Sequence, residues 1–251
     1  MNTRDAFGRA ARASESVSAV AARDVSVALA PGRPTLIGVD LTVQAGEIVY
    51  LVGQSGSGKT TLLRAIRGLV PLAGGALEVL GKPIRPGFAL SSDVAFVPQH
   101  LGLVRPRSVI GNVLAGALVR MPAWRTWTGF ARRDEIERAH EILTRLRIAH
   151  LAERAVHSIS GGERQRTAIA RAWMQDPRLV LADEFLAHLD PATSDIVQAE
   201  VAAARARGVA FVATTHDPRL VDGHAGRVVA LAGGRLVSRS QAPGQIAAGV
   251  G

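Results

Sequence analysis

Short apolar runs bounded by turn residues alternate along this chain with stretches of helical period. Val17 to Leu29, Leu36 to Gln44 and Glu47 to Val52 predict strands, with Pro31-Gly32 and Ala45-Gly46 as the turns between them. Leu77 to Leu80 and Val94 to Val97 predict two more. From about Leu101 to Arg171 the pattern turns helical. Within it Ile136, Ala139, Ile142, Leu143 and Leu146 fall on one face of a helix opened by Asp134-Glu135. Strand patterns return at Leu179 to Ala182, Val209 to Thr214 and Val228 to Leu231. Strands that alternate with helices predict an α/β sheet covered on both faces, here with a helical block inserted into it.

One stretch between a predicted strand and a predicted helix carries chemistry. Gly53-Gln54-Ser55-Gly56-Ser57-Gly58-Lys59-Thr60 fits the G-x-x-x-x-G-K-[ST] pattern; Glu47 to Val52 precede it, and Thr61-Leu62-Leu63-Arg64-Ala65-Ile66 follow as a helix. The glycines let backbone amides turn inward, and the helix start adds its positive dipole end, so the loop suits a polyphosphate. Lys59 would reach the β and γ phosphates, and Thr60 would offer its hydroxyl to Mg²⁺. Further on, four apolar residues end in two carboxylates at Leu179-Val180-Leu181-Ala182-Asp183-Glu184. Ligands of open α/β sheets bind at the carboxyl ends of strands. Asp183 suits a hydrated Mg²⁺ shell, and Glu184 is the candidate base for the water that attacks the γ phosphate. Taken without the loop, the same pair reads more readily as a turn or helix cap.

Composition limits the alternatives. A chain of 251 residues with 47% hydrophobic content can bury a substantial core. It has no cysteine, which excludes disulfides and thiolate metal sites. No apolar run approaches the length of a membrane span. Residues up to Ser18 are polar, basic and weakly patterned, without a signal-peptide core, and predict a flexible basic tail over 1–18 of a cytoplasmic protein. The net charge of +9 raises the question of nucleic acid, but only Lys59 and Lys82 are lysines and the arginines are scattered. Nucleic acid is therefore ranked last as a partner, behind anionic lipid headgroups.

A third motif, Ser160-Gly161-Gly162-Glu163, opens a basic helix: a serine N-cap and two small residues aim amides along the dipole. In order with Gln99, Leu189-Asp190 and His216, these motifs resemble the ATP-binding cassette (ABC) family, over about Ala19 to Ser238. The resemblance implies a P-loop NTPase (RecA-like) α/β core with an antiparallel β subdomain and an inserted α-helical subdomain at about 101–171, all within a nucleotide-binding domain spanning 19–251. It implies an ATP hydrolase that powers transport, with ATP bound by Gly53 to Thr60 and Thr61, and with Lys59, Glu184 and His216 catalytic. Mg²⁺ would be held by Thr60, Asp183 and the Q-loop Gln99. Ser160 to Glu163 would act in trans on the ATP of a second copy, beside the D-loop Asp190, so the implied partners are a homodimer mate and integral-membrane permease subunits. An extracytoplasmic solute-binding protein follows indirectly, and the implied location is the cytoplasmic face of the cell membrane.

Gly111 to Gly116, then Trp124 and Trp127 before Gly129-Phe130, resemble phosphonate-import ATPase subunits, as does the wording around Leu181 to Glu184, Ala187 and Leu189 to Pro191. The two tryptophans either anchor a coupling helix of the permease or fill the subdomain core. A soluble cassette ATPase serving a phosphonate-degrading enzyme complex, or another non-transport ABC ATPase, is the alternative. Three positions depart from the family pattern. Glu163 stands where glutamine is commonest and adds negative charge near the partner's ATP. Phe185 replaces the usual proline and puts a ring beside the base. Leu29 stands where an aromatic stacks on adenine, which predicts modest ATP affinity and weak discrimination against GTP.

Overall fold

Strand β3 (Ile48–Val52) is buried along its whole length, and its alternate residues enter two different cores. Ile48, Tyr50 and Val52 face one cluster, with Ala95, Val180, Ala182, Phe211 and the helices of the insert. Val49 and Leu51 face the other, with Leu62, Leu63 and Ile66 and the apolar side of a second sheet. This two-sided burial explains why the central strands read as continuous apolar runs: a parallel sheet covered on both faces has no polar side. The computed structural model describes residues 18–30, 33–85, 92–120, 131–185, 190–215 and 226–240.

Strand β3 lies within a six-stranded sheet. The other members are β6 (Val94–Val97), β7 (Leu179–Asp183), β8 (Ala210–Thr215), β9 (Arg227–Ala232) and β10 (Arg235–Ser240), in the order β10-β9-β3-β8-β7-β6. All neighbouring pairs are parallel except the β9–β10 hairpin. A separate antiparallel sheet of β1 (Val20–Ala30), β2 (Arg33–Val43), β4 (Gly74–Val79) and β5 (Lys82–Pro83) runs in the order β2-β1-β4-β5. Helix α1 (Lys59–Ile66) packs between the two sheets through Leu62, Leu63 and Ile66. The α/β fold read from the pattern is the fold observed.

Between β6 and β7 come α2 (Val109–Leu114), α3 (Arg133–Arg145) and α4 (Gly161–Met174), with 3-10 turns at 115–120, 149–151 and 156–158. The helical pattern was expected from Leu101, but the first helix begins at Val109. Residues ahead of it form a loop shaped by buried Asn112, which accepts from Val104 N at 2.8 Å and donates to Val104 O and Ser108 O, both at 3.0 Å. Side-chain satisfaction of that backbone replaces helical hydrogen bonds there. On α3 the expected face is buried at Ala139, Ile142 and Leu143, and Leu146 follows it at the C-cap. Ile136 is the exception, 38% exposed, since the first turn lies beyond the edge of the core. Glu135 accepts from Arg132 N at 2.8 Å and closes the helix start. Two strands were missed. β5 is only two residues long, and β10 follows the Gly233-Gly234 turn, a hairpin signal that alternation in Arg235–Ser240 reinforces. Val17 and the rest of the basic tail up to it, Trp124, Trp127, Gly129 and Phe130 lie outside the described residues.

Helix α5 (Pro191–Ala206) brings one acid into the core beside the insert. Glu200 Oε2 accepts from Trp173 Nε1 of α4 at 3.1 Å and from Arg145 Nε of α3 at 3.2 Å. The Trp173 ring meets Phe211 of β8 edge-on, centroids 6.0 Å apart. Removing the carboxylate leaves a buried indole N–H without its acceptor, which costs about 1.5–3 kcal/mol for a charge-assisted bond. The half-exposed Arg145 adds little to that. Glu200→Ala is expected to lower the unfolding free energy in urea by about 2 kcal/mol, and Glu200→Gln, which keeps an acceptor, by about 1 kcal/mol or less. An alanine variant as stable as the wild type would contradict this account of the junction.

Candidate active site

The loop from β3 to α1 is tight because its glycines allow it to be. A Cβ on Gly53 would lie 2.2 Å from Leu231 O of β9, so no other residue fits. Gly58, the N-cap of α1, has φ 108°, a backbone region that side chains rarely adopt. Gly234 N donates to Ser57 O at 3.1 Å and ties the loop to the β9–β10 turn. The first turn of α1 carries no acid, which leaves its positive end uncompensated by side chains. Lys59 is buried, and its ammonium donates to Gly53 O at 2.6 Å and Gln54 O at 3.0 Å, folding over the loop it would share with phosphate. Desolvation pushes the Lys59 amine below its ordinary pKa, while the nearby charges of Glu184 and Asp183 act in the opposite direction.

Strand β7 delivers Asp183 and Glu184 to the same end of the sheet. Thr60 Oγ1 lies 3.4 Å from Asp183 Oδ1, so two residues 123 positions apart meet, one from the loop and one from the strand. Thr214 of β8 stands in register with Asp183 across the parallel ladder. Its hydroxyl donates to Asp183 Oδ1 at 2.6 Å and accepts from Glu184 N at 3.0 Å. Glu184 adopts φ 52°, a left-handed backbone that costs a side-chain-bearing residue about 1–3 kcal/mol and recurs at functional sites. Gln99, given to the metal by the sequence motif, donates through Nε2 to Glu184 Oε2 at 2.8 Å. The Q-loop amide and the candidate base are therefore in direct contact. Thr60 and Asp183 supply a hydroxyl and a carboxylate, the hard oxygen donors that a small, well-hydrated divalent cation takes.

Ser160 caps α4, as expected, but the cap is reciprocal. Glu163 N donates to Ser160 Oγ at 3.3 Å, and Ser160 N donates to Glu163 Oε2 at 2.7 Å. This capping box uses two of the amides that the sequence reading left for an anion. The N–H groups of Gly161 and Gly162 have no bond among the described residues and lie at the helix start. Gly162 packs against Thr193 and Asp190: a Cβ there would stand 3.3 Å from Thr193 Oγ1 and 3.5 Å from Asp190 Oδ2. Asp190 itself caps α5, accepting from Thr193 N at 3.0 Å, and the bonds to Thr193 hold its carboxyl below the usual range.

Two contacts escaped the sequence reading. Thr214 could have been found by aligning β8 with β7 in register; Gln165 had no such signal. Gln165 is buried on α4 and donates to Phe185 O at 2.6 Å, joining that helix to the residue after Glu184. The Phe185 ring, expected beside the base, is 4% exposed and packs in the core under the insert. Leu29, at the end of β1, is 53% exposed. His216, Ala187 and Leu189 lie outside the described residues.

Comparison with known proteins shows the family. The profile of the family described as ABC transporter matches residues 36–187. The phosphonates import ATP-binding protein PhnC 1 of Natronomonas pharaonis is 42% identical over 200 residues, 79% of this chain and 84% of that protein. PhnC of Escherichia coli O157:H7 is 39% identical over 209 residues, covering 79% and 80%. PhnC 2 of Pseudomonas savastanoi pv. phaseolicola is 39% identical over 215 residues, covering 81% and 78%. Among solved structures, a nucleotide-free ATP-binding cassette from an ABC transporter superposes with a TM-score of 0.77 at 21% identity, covering 90% of this chain and 92% of that one. CbiO1 of Clostridium perfringens, part of the transporter complex cbiONQ, gives 0.77 at 24% identity, covering 89% and 88%.

The Glu163 cap carries a pH signature. Its carboxyl is held below the ordinary range, chiefly by the Ser160 N–H. A folded pKa below the unfolded one contributes stability that is complete above the ordinary glutamate value of about 4.3 and is lost as pH falls through the folded value. The group is partly exposed, so the contribution is about 0.5 kcal/mol. The stability advantage of the wild type over Glu163→Gln, measured by urea unfolding, is expected to shrink by that amount between about pH 6 and pH 3. An advantage that stays constant over the range would contradict the assignment.

Proposed function

The chain belongs to the ABC transporter ATP-binding family, and from that membership we propose that it hydrolyses ATP to power import of phosphonate or a related organophosphorus compound across the cytoplasmic membrane. The observation that carries the reading is the meeting of Thr60 of the phosphate loop with Asp183, beside Glu184, at one end of the parallel sheet. The solute comes from the printed names of relatives about 40% identical over most of their length. Among the described residues no helix is long and apolar enough to cross a membrane. From the family membership, the proposed assembly is two copies of this chain on the cytoplasmic side of integral-membrane permease subunits, served from outside by a solute-binding protein. Within each copy the nucleotide-binding domain is taken as 19–251, with its helical subdomain at about 101–171.

In this reading the amides of Gly53 to Thr60, with Gln54, Ser55, Gly56, Ser57 and Gly58 lining the turn and Thr61 following in the helix, cradle the phosphates. Lys59 exchanges its carbonyl partners for phosphate oxygens, giving back charge-assisted bonds for those it releases. Thr60, Asp183 and Gln99 would hold Mg²⁺, which when bound neutralises charge on the phosphate oxygens. Glu184 Oε accepts the proton of the attacking water, oriented by the amide of Gln99. His216 contacts the γ phosphate, and Ser160 to Glu163 of the other copy close the pocket, with Asp190 beside them. The Q-loop contact passes the state of the site toward the insert, where the permease docks.

Glu184→Gln is expected to retain ATP binding, to lose hydrolysis by a factor of about 10² or more, and to accumulate an ATP-dependent dimer on gel filtration. Unchanged turnover, or no ATP-dependent change in size, would remove Glu184 from its role. Co-purification from membranes with a multi-span permease, and ATP-dependent phosphonate uptake by that assembly, test the transport reading. Recovery with soluble enzymes alone would favour a phosphonate-degrading complex.

A further inference from the structure

We propose that Thr214 is a positioning residue for the hydrolytic site, and that its hydroxyl sets both acids at the end of β7, Asp183 and Glu184, in the geometry that metal-bound nucleotide requires. The proposal rests on the ATPase reading above. Thr214 is 2% exposed and sits at the carboxyl end of β8, directly across the ladder from Asp183. A hydroxyl carries one donor and two acceptor lone pairs. Here the donor is committed to Asp183 Oδ1 at 2.6 Å, and a lone pair receives the backbone N–H of Glu184 at 3.0 Å. One atom therefore fixes two different things, the side chain of the first acid and the main chain of the second.

Each bond has a distinct consequence. The bond to Asp183 falls on the same oxygen that Thr60 approaches at 3.4 Å, so the carboxylate is aimed at the phosphate loop by a buried group that is itself outside that loop. The bond from Glu184 N holds the chain at the point where it leaves the strand in a left-handed conformation, φ 52°. That conformation turns the Glu184 side chain, which Gln99 then meets at 2.8 Å. Valine would reproduce the shape of Thr214 and lose both bonds. Serine would keep both and lose only a methyl group. The pair of substitutions separates hydrogen bonding from packing.

The experiment is a titration of the full-length protein with a fluorescent ATP analogue, once with excess MgCl₂ and once with EDTA, alongside steady-state ATPase kinetics. Partners that orient metal ligands are worth roughly 10- to 100-fold in metal affinity or activity. Thr214→Val is accordingly expected to lose roughly 10- to 100-fold of the affinity gained from Mg²⁺, and a similar factor in kcat, while affinity in EDTA stays within about twofold. Thr214→Ser is expected to restore both quantities to within about threefold of wild type. Thr214→Ala replaces the valine variant should that one fail to fold. Loss of the same factor in EDTA and in Mg²⁺, a deletion variant with the full Mg²⁺ gain and wild-type kcat, or a serine variant as impaired as the valine would each overturn the proposal. A wild-type chain that binds no nucleotide under either condition would instead overturn the ATPase reading beneath it.

Discussion

One carboxylate oxygen organises the site. Asp183 Oδ1 receives the Thr214 hydroxyl from the neighbouring strand and faces the Thr60 hydroxyl from the phosphate loop, so three segments far apart in sequence share a single acceptor. The arrangement depends on the register of the parallel sheet: β3, β7 and β8 must end level with one another for their last residues to meet. A slip of β7 by one residue would turn Asp183 and Thr214 to opposite faces, and it would also move Leu179 and Leu181 out of one core and into the other. Apolar burial and catalytic alignment are therefore enforced by the same ladder. The register that buries these apolar residues is the one that assembles the site.

The strands of that ladder were legible in sequence because buried parallel strands have a simple signature, a short apolar run, followed in β3 by Gly53 and in β7 by two acids. The phosphate loop was legible because its glycines answer to steric demands, seen most sharply where Gly53 passes within van der Waals exclusion of Leu231 O. Ser160 as a helix cap was legible for the same local reason. What could not be read was cooperation between distant segments. Thr214 is an ordinary strand residue until β7 is laid beside it, and Gln165 is an ordinary helix residue until α4 is packed against Phe185. Phe185 misled for a related reason: its place next to the base in sequence suggested a ring at the site, and the core took the ring instead.

Charge tells a similar story. The carboxylate of Glu163 looked like a burden placed near nucleotide, yet it is bonded to the N–H of Ser160 and belongs to the structure of its own helix. Glu200 was invisible as a junction because its partners lie on two other helices, and burial of an acid is tolerable only with donors such as Trp173 and Arg145 in reach. Local chemistry reveals caps and loops, whereas the joints between subdomains emerge only once the tertiary structure has chosen their partners.

Helix α4 is held along its length. Its start carries the Ser160 turn, Gln165 pins it to Phe185 beside the base, and Trp173 near its end rests on Glu200 and Phe211. Arg171 adds a hold on the loop before α2, donating to Leu101 O at 2.6 Å and Gly102 O at 2.7 Å. At 1.5 Å per residue, about 6 Å of helix lies between Gly161 and Gln165, and about 12 Å between Gln165 and Trp173. With both ends and the middle held, the helix is a brace that ties the Ser160 turn to the strand carrying Phe211.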